Sequence, residues 1–424
     1  MLGTLKKKRF FRAVITLASA SAGGQLIILA AMPFLTRLYT PEAFGVFAVF
    51  SALMGVLLVI SSLRYELAIP LPHSQRTASR LLLIALAINL VVALVALAVV
   101  ALLRFRIAEW TETPLLASFL WLLPVAIVTG GTYKALNFWA IRNKDYQKIA
   151  VTKLTQSISN VITQILGGLA GIGAIGLIVG QIIGQSAGIA RLWKGLSLQK
   201  LRLEASKTHS IALVSRYRNF PKYDTPAAAV NAVSAQLPNV AMAIIFGPIT
   251  AGLFYLADRI LAVPMSLVSQ AVAQVFLGQA KEDISTGNLF TRVKRTLVIL
   301  FLVGALISVA TISMAEAVFG VFFGDEWQEA GVFASWLVLG LVVQMAYSPL
   351  SMVLVVTEYQ FANLLVHSFI LFFKVSAMYF SYALGSHMIA VQLLSLSLVL
   401  GYGAGIFVIL FRARDVSGVV HAKA

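Results

Sequence analysis

Arg64 and Glu66 stand two residues apart in "SSLRYELAI" (residues 61–69), at the end of an apolar run that begins near Glu42. Arg259, beside Asp258, lies about 11 residues into another such run and Lys374 about 11 into a third, so at about 1.5 Å of rise per residue each is roughly 16 Å deep. Lys134 lies toward the end of a fourth run. A cation at the centre of a bilayer costs at least about 2.5–3.5 kcal/mol, so such residues face protein or water and mark substrate or ion paths. Their sign selects the chemistry. Asp258 and Glu66 are the main acids within the runs, which leaves an organic cation without an obvious anionic cradle. Arg64, Lys134, Arg259 and Lys374 suit an anion such as a phosphate or pyrophosphate, which arginine grips with two donors and lysine holds as a point charge. Snorkelling stays open for Arg64 and Lys134, ion pairing through Asp258 for Arg259 and Lys374, and a coupling or gating role for Asp258 and Glu66. The histidines at 73, 209, 367, 387 and 421 have neither metal-ligand spacing nor an evident serine and acid beside them, so no catalytic centre, metal or cofactor is expected.

Uncharged polar residues also fall into register. Gln156, Asn160 and Gln164 recur every four positions and align on one helix face, as do Asn231 and Asn239 with Gln236 beside them, and Gln25 follows a Gly23-Gly24 pair. Two accounts remain open for these faces: amides bonding from helix to helix, or the wall of a wet cavity whose hydroxyl-rich ligand needs amide partners. The glycines at 176, 180, 184 and 188 leave one helix face without side chains, which is a packing device; no strand precedes them to make a nucleotide-binding loop.

The elements that carry these residues are membrane helices. The 424 residues are 59% hydrophobic and 12% charged, against about 25% charged in soluble domains. Apolar windows predict twelve spans near 11–36, 42–66, 80–103, 115–139, 149–169, 171–193, 226–247, 249–277, 296–319, 331–356, 360–384 and 388–411. The start, Lys6-Lys7-Lys8-Arg9 before an apolar run and "ASASA", has features of a cleavable signal, but hydrophobicity resumes through Leu35 and a retained first helix fits better. With both termini in the cytoplasm, the outer segments hold Arg37, Arg104 and Arg106 alone, and nearly all other basic residues are on the inner side. That asymmetry accounts for the net charge of +17 without nucleic acid, and anionic lipid headgroups are natural neighbours of it. Cysteine is absent, which removes disulfides and thiolate chemistry.

The two halves repeat. "YTPEAFGVFAV" from Tyr39 matches "FGPITAGLFYL" from Phe246, pairing Pro41 with Pro248, Gly45 with Gly252 and Phe47 with Phe254, and "DYQ" at 145–147 returns as "EYQ" at 358–360. Six spans per repeat send both halves into the membrane in one direction, which implies a pseudo-twofold axis along the membrane normal and a site between halves. The expected organisation is a six-helix lobe at 1–193, a cytoplasmic linker at 194–223, a second six-helix lobe at 224–411 and a cytoplasmic tail at 412–424. The outer connections are short, which counts against a membrane polymerase or glycosyltransferase.

"RLYTPEAFGVFAVF", "SLRYELAIPLP", "RYRNFPKYDTPAA" and "FGPITAGLFYLADRILAVPMSLVSQAVAQVF" resemble the Wzx-like oligosaccharide flippases, the polysaccharide transporter family of the multidrug/oligosaccharidyl-lipid/polysaccharide exporter superfamily. The resemblance implies a bacterial inner-membrane protein that moves an undecaprenyl-pyrophosphate-linked repeat unit outward by alternating access, for O-antigen, capsule or exopolysaccharide synthesis. It also implies a cationic cavity in which Arg64 and Arg259 engage the pyrophosphate and Gln25, Asn231 and Asn239 face the sugars. Lys374 and Lys134 are assigned to the anion by depth and sign. A polysaccharide polymerase and a chain-length regulator are the protein partners this implies. A cation-coupled drug antiporter of the same superfamily and a polytopic glycan polymerase or ligase are the alternatives.

Overall fold

The structure, a computed structural model, describes residues 2–194, 207–357 and 359–421. Residues 195–206 of the expected linker, and Glu358 of the second "EYQ", lie outside the described residues. Those described form helices and turns with no strand, and ten helices are long and apolar enough to cross a membrane. The long helices are α1 (Leu2–Leu38), α2 (Pro41–Ile60), α3 (Gln75–Trp110), α4 (Leu123–Arg142), α5 (Tyr146–Leu169), α6 (Ala174–Ser186), α7 (Thr225–Ser285), α8 (Leu289–Phe323), α9 (Gln328–Leu350), α10 (Gln360–Leu384) and α11 (His387–His421). The chain divides into two compact units, Met1–Gly252 and Leu253–Ala424.

In the first unit α1 packs on α5, α5 on α6, and α3 on α4. The α5–α6 seam joins the two four-residue patterns of the sequence. A methyl at Gly184 would lie 2.7 Å from Asn160 Cβ, and Gly180 meets Gln164 with no room for a side chain. At that separation the amides reach across: Gln156 Nε2 donates to Gln185 O (2.9 Å), Asn160 Nδ2 to Gln181 Oε1 (3.0 Å) and Gln164 Nε2 to Leu177 O (3.1 Å). Helix-to-helix bonding, rather than a wet cavity, accounts for this row. Tyr39 closes one end of the seam, its hydroxyl donating to Gln164 O at 2.6 Å. Burial pushes that phenol up to about 12.

Helix α2 begins at a cap legible in "YTPEAF": Thr40 accepts from Ala43 N at 3.3 Å, and Pro41, which lacks an N–H, occupies the first turn. Its far end differs from expectation. The helix stops at Ile60 rather than running to residue 66. Ser61 Oγ turns back to Leu58 O (3.0 Å), Leu63 and Arg64 take left-handed conformations (φ 47° and 63°), and Tyr65–Ala68 forms a 3₁₀ turn. Serine hydroxyls that bond the preceding turn compete with helix continuation.

Helix α7 is broken once, at Gly247 (φ 84°, ψ 172°), a conformation essentially confined to glycine; Pro248 then starts the second arm. The break places the sequence positions paired above against one another. A methyl on Gly45 would collide with the Pro248 carbonyl, and one on Gly252 with the Pro41 carbonyl. The contact is reciprocal: Gly45 sits on Pro248 and Gly252 on Pro41.

In the second unit α8 packs on α9, α9 on α11, and α10 on α11. Small residues again set the separation. Gly340 on α9 lies against Ser395 of α11, whose hydroxyl accepts from Gly340 N (3.2 Å) and donates to Trp336 O (2.6 Å).

Candidate functional site

The turn after α2 gathers the first unit's interior charges. Tyr65, Ala68 and Ile69 plug a core formed with Leu81, Leu82, Leu136 and Trp139, so the backbone between them is buried and fixed. Tyr65 also donates to Val214 O at 3.0 Å, and burial raises its phenol above the ordinary value. Arg142, at the end of α4, ties down the following loop: its guanidinium donates to the carbonyls of Pro72 and, at 3.1 Å, His73. These contacts hold Glu66 in a position with no solvent exposure.

Glu66 faces two partners there. The Ser62 hydroxyl donates to Oε2, and Lys134 Nζ, from α4, lies 3.4 Å from Oε1. Lys134 also donates to Leu58 O at 2.8 Å. Arg64 points elsewhere, its Nε donating to Asp224 Oδ2 at 2.7 Å. Asp224 ends a π-helical turn, Phe220–Asp224, at the start of α7. The site therefore holds two cations and two carboxylates, and two consecutive left-handed residues aim Arg64 away from Glu66. Such backbone strain costs about 1–3 kcal/mol per residue and collects at functional sites.

Asp224 and Arg142 had no distinguishing mark in the sequence. Asp224 is one acid in the basic stretch "RYRNFPKYD", and Arg142 looks like any inner-side cation. Only the folded turn shows what each one ties down.

The second unit has its own group. Lys374 on α10 is buried, and Asp258 and Arg259 on α7 are half-buried. Asp258 lies within electrostatic reach of both Arg259 and Lys374, so the acid that the sequence offered to these cations does sit among them. The amides assigned to the sugar are less uniform. Gln25 is half-buried on α1 and Asn231 is exposed on the first arm of α7. Asn239 donates to Gln236 Oε1 at 3.4 Å, while its own Oδ1 is buried without a hydrogen-bond partner.

The polysaccharide biosynthesis protein family matches residues 34–332, a range that takes in the turn after α2, Lys134, Asp224, Asp258 and Arg259. The chain belongs to this family. Lys374 falls outside the matched range. Among solved structures the chain is similar to the lipid II flippase MurJ in an inward closed conformation (TM-score 0.71, 14% identity, 96% of this chain and 91% of that one). It is also similar to a MOP superfamily transporter from Pyrococcus furiosus (TM-score 0.56, 13% identity, 96% of each chain) and to a eukaryotic MATE transporter (TM-score 0.53, 15% identity, 97% of this chain and 100% of that one). At these identities the likeness establishes the fold alone: this member of the polysaccharide biosynthesis protein family is a multi-pass membrane protein with the helical fold of those structures. Comparison with curated proteins finds no match.

Proposed function

We propose that the protein is a flippase that carries an undecaprenyl-pyrophosphate-linked oligosaccharide from the cytoplasmic to the periplasmic leaflet of the bacterial inner membrane, supplying surface polysaccharide synthesis. The observation that carries this reading is the placement of cations inside the spans of a polysaccharide biosynthesis family member: Lys134 on a backbone carbonyl, and Lys374 buried near Arg259 and Asp258. Twelve crossings in two repeats, 1–193 and 224–411 around a linker, with cytoplasmic termini and a cytoplasmic tail from 412, go with the proposal. The ten apolar helices reach that number if α7 counts as two arms about Gly247 and the amide-rich α5 also crosses.

The physical problem is the glycan head, whose hydroxyls each cost kcal/mol-scale desolvation in hydrocarbon. Alternating access through a cationic cavity removes that cost while the lipid tail stays in the bilayer. In this proposal Arg64 receives the arriving pyrophosphate by exchanging Asp224, because a multiply charged anion with several acceptor oxygens outcompetes a single exposed carboxylate. Arg259, with Lys374, is the deeper station, and Gln25, Asn231 and Asn239 meet the sugars. Glu66 keeps Lys134 in place, and Asp258 balances the second group.

The test is leaflet assignment of lipid-linked repeat units in membrane vesicles from cells lacking the gene. Cytoplasmic-leaflet accumulation is expected, cleared by the restored wild-type gene and not by Arg259→Ala. Normal clearance by that variant removes the pyrophosphate role of Arg259. Loss of organic-cation export in Asp258→Asn, with glycan clearance intact, would turn the assignment to a drug antiporter.

A further inference from the structure

Between α2, α3 and the first arm of α7 lies an apolar groove of about 480 Å³. Its walls include Val56 and Ile60 of α2, Val95 and Val99 of α3, and Val233 and Leu237 of α7. Among the described residues that line it, Gln236 alone is polar, and Gln236 Oε1 already accepts from Asn239. Val95 and Val233 are 58% and 45% exposed, so the groove communicates with the outside of the helices at membrane depth.

Its inner end identifies the occupant. Along α3 the lining runs from Val92 to Ile107. At the inner end Ile60 is the last residue of α2, and the cations begin at once: Lys134 Nζ is bonded to Leu58 O, and Arg64 is four residues on from Ile60. An apolar groove that ends at cations fits an amphiphile with an anionic head and a long chain.

We propose that this groove binds the polyprenyl chain of the transported lipid, laid along α2 and α3, while its pyrophosphate lies at Arg64 and Lys134. The proposal rests on the flippase assignment and adds a place for the tail. It also gives Gly55 a purpose: a methyl there would approach Gln236 Nε2 to 3.3 Å and press the one polar side chain of the wall.

The experiment uses the full chain in vesicles with a diazirine-bearing polyprenyl pyrophosphate, and peptide mapping after illumination. Labelling of α2, α3 and first-arm α7 peptides is expected, competed by unlabelled polyprenyl phosphate and not by phosphatidylglycerol. Val95→Trp and Val233→Trp, both at exposed walls, should each cut that labelling about tenfold and slow transfer. Equal labelling by a diazirine phospholipid, or competition by phosphatidylglycerol, overturns the proposal, because the groove then holds ordinary bilayer lipid. Wild-type labelling and transfer in both tryptophan variants also overturn it, and leave the flippase assignment standing. Groove labelling by a wild-type protein that transfers no lipid-linked oligosaccharide has the opposite meaning: the tail site stands and the flippase assignment falls.

Discussion

Glu66 and Lys134 provide a pair whose energetics can be worked from their surroundings. At 3.4 Å and an effective dielectric of about 20, their attraction is about 5 kcal/mol before desolvation is counted. Removing one member of a buried pair costs about 3–5 kcal/mol, chiefly because the other is left uncompensated, whereas removing both can be nearly neutral. The two members are not equivalent: the Glu66 side chain has no exposure and Lys134 retains 28%. Lys134→Met therefore strands a carboxylate whose remaining side-chain donor is Ser62, and should fall at the upper end of that range. Glu66→Gln strands a cation that still holds the Leu58 carbonyl and is partly exposed, and should fall at or below the lower end. The double variant should recover at least about 2 kcal/mol relative to the sum of the two losses. The assay is thermal loss of the monodisperse, detergent-extracted protein, with Lys134→Met melting lowest, then Glu66→Gln, then the double variant. Additive losses would refute the pairing, and a lower melting point for Glu66→Gln than for Lys134→Met would refute the burial argument.

Three further outcomes follow from named contacts. Gly180→Leu should abolish the Gln164–Leu177 bond and overpack the α5–α6 seam, collapsing the folded yield after extraction, whereas Gly403→Ala, with nothing within 4 Å of the added methyl, should leave it unchanged. Gly247→Ala should lower thermal stability by about 1–3 kcal/mol, because φ of 84° with ψ of 172° is inaccessible to alanine without strain; equal melting of Gly247→Ala and Gly403→Ala would refute this. Exchanging the charges in the double variant Arg64→Asp with Asp224→Arg should restore the melting point lost in Arg64→Asp alone but not lipid transfer, if the cation is needed at position 64 itself; recovery of both would reduce Arg64 to a structural role.

What the sequence made legible was what periodicity and capping carry. The four-residue spacings of Gly176 to Gly188 and of Gln156 to Gln164 specified two helix faces, and their union into one seam followed because a bare face admits short amides. Thr40-Pro41 marked the start of α2 by the same local logic, and the matched Gly45 and Gly252 lie in one reciprocal contact with Pro248 and Pro41. The other end of α2 was not legible. Hydropathy continues through Leu63 and Leu67, so the window ran on to residue 66, while the termination depends on the Ser61 hydroxyl turning back and on a tyrosine and an isoleucine being drawn into a core made by distant helices. Partners such as Arg64 with Asp224, 160 positions apart, depend on that turn and have no local signature.

The two ends of α2 are held by forces of different strength, and this predicts which end yields first. At the N-terminal end of α2 Gly45 and Gly252 are buried and backbone lies directly on backbone, so separation exposes main-chain surface over several residues. At the C-terminal end the Arg64–Asp224 ion pair to the start of α7 has side chains 25% and 44% exposed, and pairs of this kind contribute about 0.2–1 kcal/mol, beside the Tyr65–Val214 hydrogen bond and the packing of Phe220. The two strained residues that aim Arg64 would relax if it let go. The C-terminal end should therefore open at lower cost than the N-terminal end. Because the chain has no cysteine, spin labels can be placed without background at Leu71 and Lys222 for the C-terminal end of α2 and at Glu42 and Ile249 for its N-terminal end, all exposed positions outside the contacts themselves. Adding a polyprenyl pyrophosphate should broaden the 71–222 distance distribution while the 42–249 distribution stays narrow. Broadening at the 42–249 pair with a fixed 71–222 pair would mean that the glycine contact is the weaker one, and that backbone packing against Pro41 and Pro248 contributes less than the contacts of Arg64 and Tyr65.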